Sequence, residues 1–557
     1  MEPPKPEEEP ISSGRIPTWR LIFDQSFFTQ PVLDHNYAGS GTEEDPYLIS
    51  WIPDDPRDPL SSLTETSKWA IILLVSVSAL TVSLVSSAYT GGLVEVTGYF
   101  QISEEVAFLG ITLFVIGFAL GPLLWAPLSE IYGRRYILII TSMGLTAFTA
   151  GAAGANNLQT LLILRFLGGS FGSAPLAVAG GVLADIFPPI SRGLASGIFA
   201  AAPFLGPTLG PIVGGFLAES AGWRWVEGLL AALSGTVWIA TCLLLPETYG
   251  PLLLEKRAAK LSAVTGQVYR SSIEVGQARQ TISTKLCSAL SRPWVLLFRE
   301  SIVFLLSLYI AIIYGILYMF FAAFPIVFQK IRGWSEGIGG LAFLGILLGI
   351  LLSIVYVFPT YFAYKKRTLQ LPPRSRLPPE ARLPDSFLPS ICLPVSLFWF
   401  AWTNDPSVHW MAPIAAGVPF GFGMIMVFLP VLNYLVDAYT IYAASVLAAN
   451  SLLRSIFGAV FPLFTSYMYQ DLGIHWASSI PAFLALACAP MPFLFYKFGA
   501  TIRRRCHYAA EADAFMQRLL GSQPSRTQEM QKSDRTETNR HRADSKTSSP
   551  DSGVRVS

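Results

Sequence analysis

The chain has 557 residues, of which 52% are hydrophobic and only 14% charged, at a mean hydropathy of +0.47. A soluble domain carries about 25% charged residues, so this length does not translate into a string of soluble domains. The formal net charge of +2 is spread over loops, which leaves no basic patch for nucleic acid.

Residues 1–68 are acidic, Pro-rich and polar, with no cleavable signal peptide. They are expected to form a mostly disordered cytoplasmic segment, and the run Trp51-Ile-Pro-Asp-Asp-Pro-Arg-Asp-Pro59 is too proline-rich for a helix. Twelve apolar stretches follow in two groups of six, each near the roughly 20 residues that a helix needs to cross a bilayer. The first group lies near 69–89, 105–126, 136–153, 158–180, 193–217 and 226–246. The second lies near 300–324, 337–358, 386–402, 411–435, 441–466 and 477–498. This sets an all-α membrane protein with a six-helix half over 69–246, a cytoplasmic central loop over 247–299 and a second half over 300–498. The central loop mixes charge with short apolar stretches and suits one or two surface helices. The proline-rich 371–389 reads as an irregular loop, and the tail 499–557 as mostly disordered after a short helix.

Basic residues fix the orientation. Arg134 and Arg135, Arg192, the central loop, Lys365 to Arg382 and Arg503 to Arg505 share one side, while the other side shows only Arg224, Lys330 and Arg332. Both termini therefore face the cytoplasm. The five cysteines are scattered without ligand spacing and read as free thiols. No GxxxxGK[ST] string is present, which speaks against ATP drive. No cofactor and no metal are expected.

The segment Gly121-Pro-Leu-Leu-Trp-Ala-Pro-Leu-Ser-Glu-Ile-Tyr-Gly-Arg-Arg135, between spans two and three, resembles the loop signature of the major facilitator superfamily. Leu128, Gly133, Arg134 and Arg135 match, Glu130 replaces the usual Asp, and Ala126 and Ile131 depart from the usual Gly and Arg. Its PLSE–x–x–GRR form is similar to the twelve-span fungal drug:proton antiporters. Glu130 and Arg134 stand four apart and can pair if the helix continues. A carboxylate here can also sit against a helix N-terminus of the other half, making a gate contact. The plain alternative is a positive-inside turn stopped by Gly133.

Span five, Ala202-Pro-Phe-Leu-Gly-Pro-Thr-Leu-Gly-Pro-Ile-Val-Gly-Gly-Phe216, resembles the family's antiporter motif through Gly210, Pro211, Gly214 and Gly215, with Gly206-Pro207 as a further Gly-Pro pair. Prolines bend helices and glycines four apart allow close helix approach, so this stretch is either a hinge between halves or tight packing without motion. Span four holds Arg165 and span eleven holds Asn450 and Arg454, in strings similar to the same group. An arginine at mid-membrane costs about 2.5–3.5 kcal/mol on the insertion scale, so each faces a cavity or a partner, or else snorkels to backbone carbonyls. The strings Leu245-Pro-Glu-Thr-Tyr249 and Asn433-Tyr-Leu-Val-Asp-Ala-Tyr439 support the same subgroup.

The resemblance implies the major facilitator fold and export of small organic compounds (drugs, toxins or a secondary metabolite) by alternating access with proton antiport. The alternative is a nutrient or polyamine importer or facilitator on the same fold. It also implies a monomer in the bilayer, with the plasma membrane first and the vacuolar membrane second. Tyr309, Tyr314 and Tyr318 of span seven are candidates for a pocket wall, with packing aromatics as the alternative. No span shows a mid-membrane carboxylate: Glu130, Asp185 and Asp437 lie near cytoplasmic ends, and Glu219 and Glu227 near outer ends. No proton site can be named from the sequence, which keeps facilitated diffusion open. An enzyme is not expected, because no nucleophile, metal set or acid pair sits at membrane depth.

Overall fold

Apolar length dominates what forms here. In the computed structural model, which describes residues 18–24, 27–53, 55–272, 282–372 and 377–522, eleven helical stretches are long and apolar enough to cross a bilayer. The last of them, Thr440–Arg505, is 66 residues long, about three times what a single span requires. It is broken at Gly473, whose φ of 73° and ψ of 169° leave the helical region. Only glycine takes that conformation without strain, so spans eleven and twelve are two helices and the total is twelve.

The first half comprises span one (Glu65–Ala88), two (Glu104–Tyr132), three (Arg134–Ala153), four (Leu158–Gly172 continued by Ala174–Ile186), five (Pro189–Ala221) and six (Trp223–Leu244). The second comprises seven (Ser301–Phe324), eight (Leu344–Leu369), nine (Phe387–Thr403), ten (Met411–Ala438), eleven and twelve. Side-chain caps start several of these helices. Thr64 Oγ1 accepts from the Ser67 N–H at 3.2 Å to open span one, and Asn157 Oδ1 accepts from the Thr160 N–H at 2.8 Å to open span four.

The basic end differs from the sequence expectation. Residues 27–53 and 55–63 were expected within a mostly disordered segment, yet they fold onto the central loop. Strand β1 (Tyr47–Ile49) pairs in parallel with β2 (Tyr269–Ser271), with Leu48 opposite Arg270. Phe28, Val32, Tyr37 and Ile49 bury against Leu254, Ala258 and Leu261 of the helix Gly250–Thr265. Asp55 receives both arms of Arg257 at 2.5 and 2.9 Å, and both side chains are almost fully enclosed. Burial pushes the Tyr37 phenol up to about 12 and draws the Arg57 guanidinium down to about 10. The disorder expected of residues 1–17 lies outside the described residues.

The central loop carries the two surface helices expected, Gly250–Thr265 and Ile282–Arg299. The proline-rich loop is more regular than expected. It forms a 3-10 turn over Pro379–Ser386, held by Arg382 to Asp437 at 2.9 Å and Glu380 to Arg503 at 3.3 Å. The tail begins with the helix His507–Ser522, and its expected disorder beyond residue 522 lies outside the described residues.

Candidate transport site

The two halves meet differently at their two ends. At the outer end Lys330 bonds Glu104 at 2.6 Å, the Gly337 N–H donates to Glu219 at 3.0 Å, and Gly340 lies against the Pro211 carbonyl. At the basic end a cavity of about 320 Å3 opens between spans five, eight and ten. Arg192, Tyr361, Lys365, Asn433 and Asp437 line it, with Val357, Met426 and Leu429 as apolar wall. The molecule is therefore shut at the end with few basic residues and open at the basic end.

A buried polar chain runs between the halves above this cavity. Arg165 sits about 10 Å below the outer end of span four, counted at 1.5 Å per residue, and its side chain is 1% exposed. Its Nη1 bonds Glu227 of span six at 2.6 Å, its Nε donates to the Gly110 carbonyl at 2.9 Å, and its Nη2 donates to the Val85 and Ser86 carbonyls at 3.2 and 3.1 Å. The Tyr89 ring lies 4.3 Å away. Ser86 Oγ shares a 3.0 Å hydrogen bond with Tyr318 of the other half, and Tyr314 donates to Tyr318 at 3.2 Å. The guanidinium of Arg454 stands 4.9 Å above the Tyr314 ring. Glu227, Arg165, Ser86, Tyr318, Tyr314 and Arg454 thus form one line across the interface.

Glu227 is the residue that sequence reasoning passed over. By position it does lie near the outer end, in the first turns of span six, but it is 1% exposed and ion-paired. Span length places a residue along the membrane normal; it does not reveal whether water reaches it. The usable signal was a lone acid inside the apolar run Trp223-Arg-Trp-Val-Glu-Gly-Leu-Leu-Ala-Ala-Leu233.

The other candidates divide. Tyr314 and Tyr318 belong to the chain. Tyr309 does not: it is buried among second-half helices near Cys488, its hydroxyl lacks a hydrogen-bond partner, and it lies about 140° round the helix from Tyr314. Asn450 is 2% exposed, one turn before Arg454 on span eleven, and its Nδ2 has no partner.

The span-five glycines also divide. Gly206, Gly210 and Gly214 press against Ser83, Ser87 and Ala88 of span one, in the same half. A Cβ at Gly214 would overlap the Ala88 carbonyl. Only Gly215 and Pro211 face the second half, through Glu336 and Gly340. Ser87 Oγ donates to the Gly206 carbonyl at 3.2 Å beside Pro207, so the Gly206-Pro207 pair is likewise seated on span one. Most of the motif packs two helices of one half together, which fits the tight-packing alternative, and Pro211 and Gly215 reach the other half.

In the loop between spans two and three, Gly133 has φ 94°, and its Cα hydrogen faces the Glu247 carboxylate, where a side chain would collide. Glu247 accepts the backbone N–H groups of Arg134 and Arg135 at 3.0 and 3.1 Å and those of Thr248 and Tyr249 at 2.9 Å each. Glu247, at the start of the central loop, is the carboxylate that caps the N-terminus of span three, and the contact of Glu130 with a helix N-terminus of the other half is not made among the described residues. Glu130 is 52% exposed and only 4.0 Å from Arg134, which also bonds Ser129 at 2.6 Å and Asp185 at 3.4 Å. Arg135 donates to the Ile22 and Cys242 carbonyls.

Two six-helix bundles, shut at one face, open at the other and linked by a buried polar line, define a solute carrier. The chain belongs to the Major Facilitator Superfamily, whose sequence profile matches residues 71–462. It is 59% identical over 513 residues to the Major facilitator superfamily multidrug transporter mdrA of Aspergillus fumigatus, covering 91% of this chain and 83% of that protein. It is 59% identical over 518 residues to the MFS-type efflux pump MFS2 of Trichophyton rubrum (92% and 86% covered), and 51% identical over 523 residues to Efflux pump FUBT of Fusarium oxysporum (93% and 87% covered). Among solved structures the proton:xylose symporter XylE superposes with a TM-score of 0.55 at 16% identity, over 78% of this chain and 96% of that one, which speaks to fold alone. The chain is a multi-pass membrane transporter and not an enzyme.

Proposed function

We propose that this chain exports small organic compounds by alternating access, in exchange for protons, with Glu227 as the proton-carrying group and Arg165 as its partner. Relatives at 51–59% identity carry the names multidrug transporter and efflux pump, which supports the direction of transport. The observation that carries the coupling role is the Arg165–Glu227 contact of 2.6 Å at 1–2% exposure, wired through Ser86 to Tyr318 of the opposite half. A buried pair of this kind is expensive to keep and is weak evidence for stability alone. Protonating Glu227 releases Arg165, and the released guanidinium pulls on the same carbonyls of span one that back the Ser86–Tyr318 bond. Proton loading and inter-half packing therefore share one element. The aromatic wall of Phe204, Tyr314 and Phe428 suits solutes with an apolar body. The setting we infer is the plasma membrane, with a single chain as the working unit.

The test is accumulation of a labelled drug in inside-out vesicles under an imposed pH gradient. Wild type accumulates the drug, and collapsing the gradient abolishes this. Glu227→Gln loses gradient-driven accumulation but keeps drug-for-drug exchange, because exchange needs rocking without deprotonation. Accumulation in Glu227→Gln that still follows the gradient would sink the assignment.

A further inference from the structure

Arg454 lies about 16 Å into span eleven from its cytoplasmic end, near the middle of a roughly 30 Å core. Such a charge is costly to insert at this depth, and Arg165 shows how this fold offsets the cost, with one carboxylate and three carbonyls. Arg454 has no equivalent. Its Nε has no hydrogen-bond partner, and no ion pair joins it to a carboxylate among the described residues. Its neighbours are the faces of Tyr314 at 4.9 Å and Phe428 at 5.4 Å. Ring faces attract a guanidinium but do not neutralise it. One turn earlier, on the same face of the helix, the enclosed Asn450 Nδ2 also lacks a partner. Both unmet groups are donors.

Aromatic rings from both halves surround these donors. Phe204 of the first half meets Phe428 of the second at 4.8 Å and Tyr314 at 5.9 Å. Ser196, two turns before Phe204, and Leu429, next to Phe428, line the cavity at the basic end. Phe428 is thus next in sequence to a residue of the cavity wall, and the Arg454 guanidinium packs on its ring. Arg192, Lys365 and Arg382 face Asp385 and Asp437 around that cavity, which leaves a small positive excess.

We propose that Arg454 and Asn450 dock the carboxylate of an amphipathic organic acid whose apolar body lies against Tyr314, Phe428 and Phe204. The proposal rests on the export reading for its biological meaning, since it names the class of cargo. A carboxylate accepts from both donors at once and supplies the missing counter-charge. The neutral amide of the same acid offers shape without charge.

The experiment is equilibrium binding of tritiated 1-naphthoate and of 1-naphthamide to the purified full-length protein in sulfate buffer. Wild type prefers the acid by roughly ten- to hundredfold, the range of a charged hydrogen bond. Arg454→Gln removes the preference by lowering acid affinity to that of the amide. Asn450→Asp does the same by a different route, because it places a fixed carboxylate one turn from Arg454. That variant serves if Arg454→Gln fails to fold. Equal binding of acid and amide by wild type would overturn the proposal, as would a preference that survives both substitutions. Stoichiometric displacement of the acid by chloride would overturn it in favour of an inorganic ion. Binding is read apart from transport, so wild-type protein that binds the acid selectively but moves no drug against a gradient refutes export and leaves the docking site standing.

Discussion

Two arginines at membrane depth, Arg165 enclosed and Arg454 partly exposed, have opposite surroundings in the two halves of one protein. Arg165 spends four bonds on Glu227 and three carbonyls, while Arg454 rests on two aromatic faces with its Nε unmet. The first is a closed circuit whose charge is balanced within the fold. The second is open, and the balance must come from outside the chain. In the exchange cycle we propose, the same residue type at similar depth serves two ends: one site keeps its own anion and changes that anion's protonation, and the other takes its anion from the cargo.

The widest separation between the two is in stability. Arg165→Leu leaves Glu227 buried without its cation and should destabilise the first half by about 3–5 kcal/mol. Arg454→Leu removes an uncompensated charge worth about 2.5–3.5 kcal/mol on insertion and forfeits about 0.5–2 kcal/mol of cation–ring attraction, so it should leave melting unchanged or raise it. Replacing Arg165 and Glu227 together by leucine should recover most of what the single change lost. Thermal unfolding of the purified variants decides this. If both single leucine variants melt early, the contrast between closed and open arginines is wrong.

Next in size is the glycine clamp of span five, which sets how firmly the Arg165 side is held. Gly214→Val forces a branched side chain into the Ala88 carbonyl of span one, and overpacking of this kind costs about 1–3 kcal/mol. It should abolish drug export and weaken the Ser86–Tyr318 contact, because Ser86 lies two residues before Ala88. Export at the wild-type rate in Gly214→Val, measured per folded molecule, would show that the clamp does not govern rocking.

How much of this was legible from the residues follows physical lines. The twelve spans were readable because burial in lipid needs long apolar runs, and such runs are a local property. The last two were separable because a polar Asp471 and Gly473 interrupt their run. Arg165 and Arg454 were equally visible as charges in apolar strings, but their difference was not. What separates them is Glu227, 62 positions away from Arg165 and brought to it only by packing. The folded cytoplasmic cap was hidden by composition. Its core is seven side chains from two segments some 200 residues apart, and its Asp55–Arg257 bond cannot be found by local pattern. The glycine stripe was recognisable as a packing face, yet a stripe does not say which helix it meets.

The smallest effect expected concerns the two carboxylates beside the loop between spans two and three, which repeat the contrast on a smaller scale. Glu247 is closed, taking four backbone N–H groups. Glu130 is open, half exposed and 4.0 Å from an arginine already held by Ser129 and Asp185. A surface pair of that kind is worth about 0–1 kcal/mol, so Glu130→Gln should not change the melting of the protein open at its basic end. If Glu130 meets a helix N-terminus of the second half when the cytoplasmic side closes, that contact is worth about 0.3–1 kcal/mol. Loss of it should slow export by roughly two- to fivefold while drug binding from the cytoplasmic side is unchanged. Turnover equal to wild type in Glu130→Gln would remove the gate role from this residue and leave Glu247, with Gly133 fitted against it, as the group for which the loop is built.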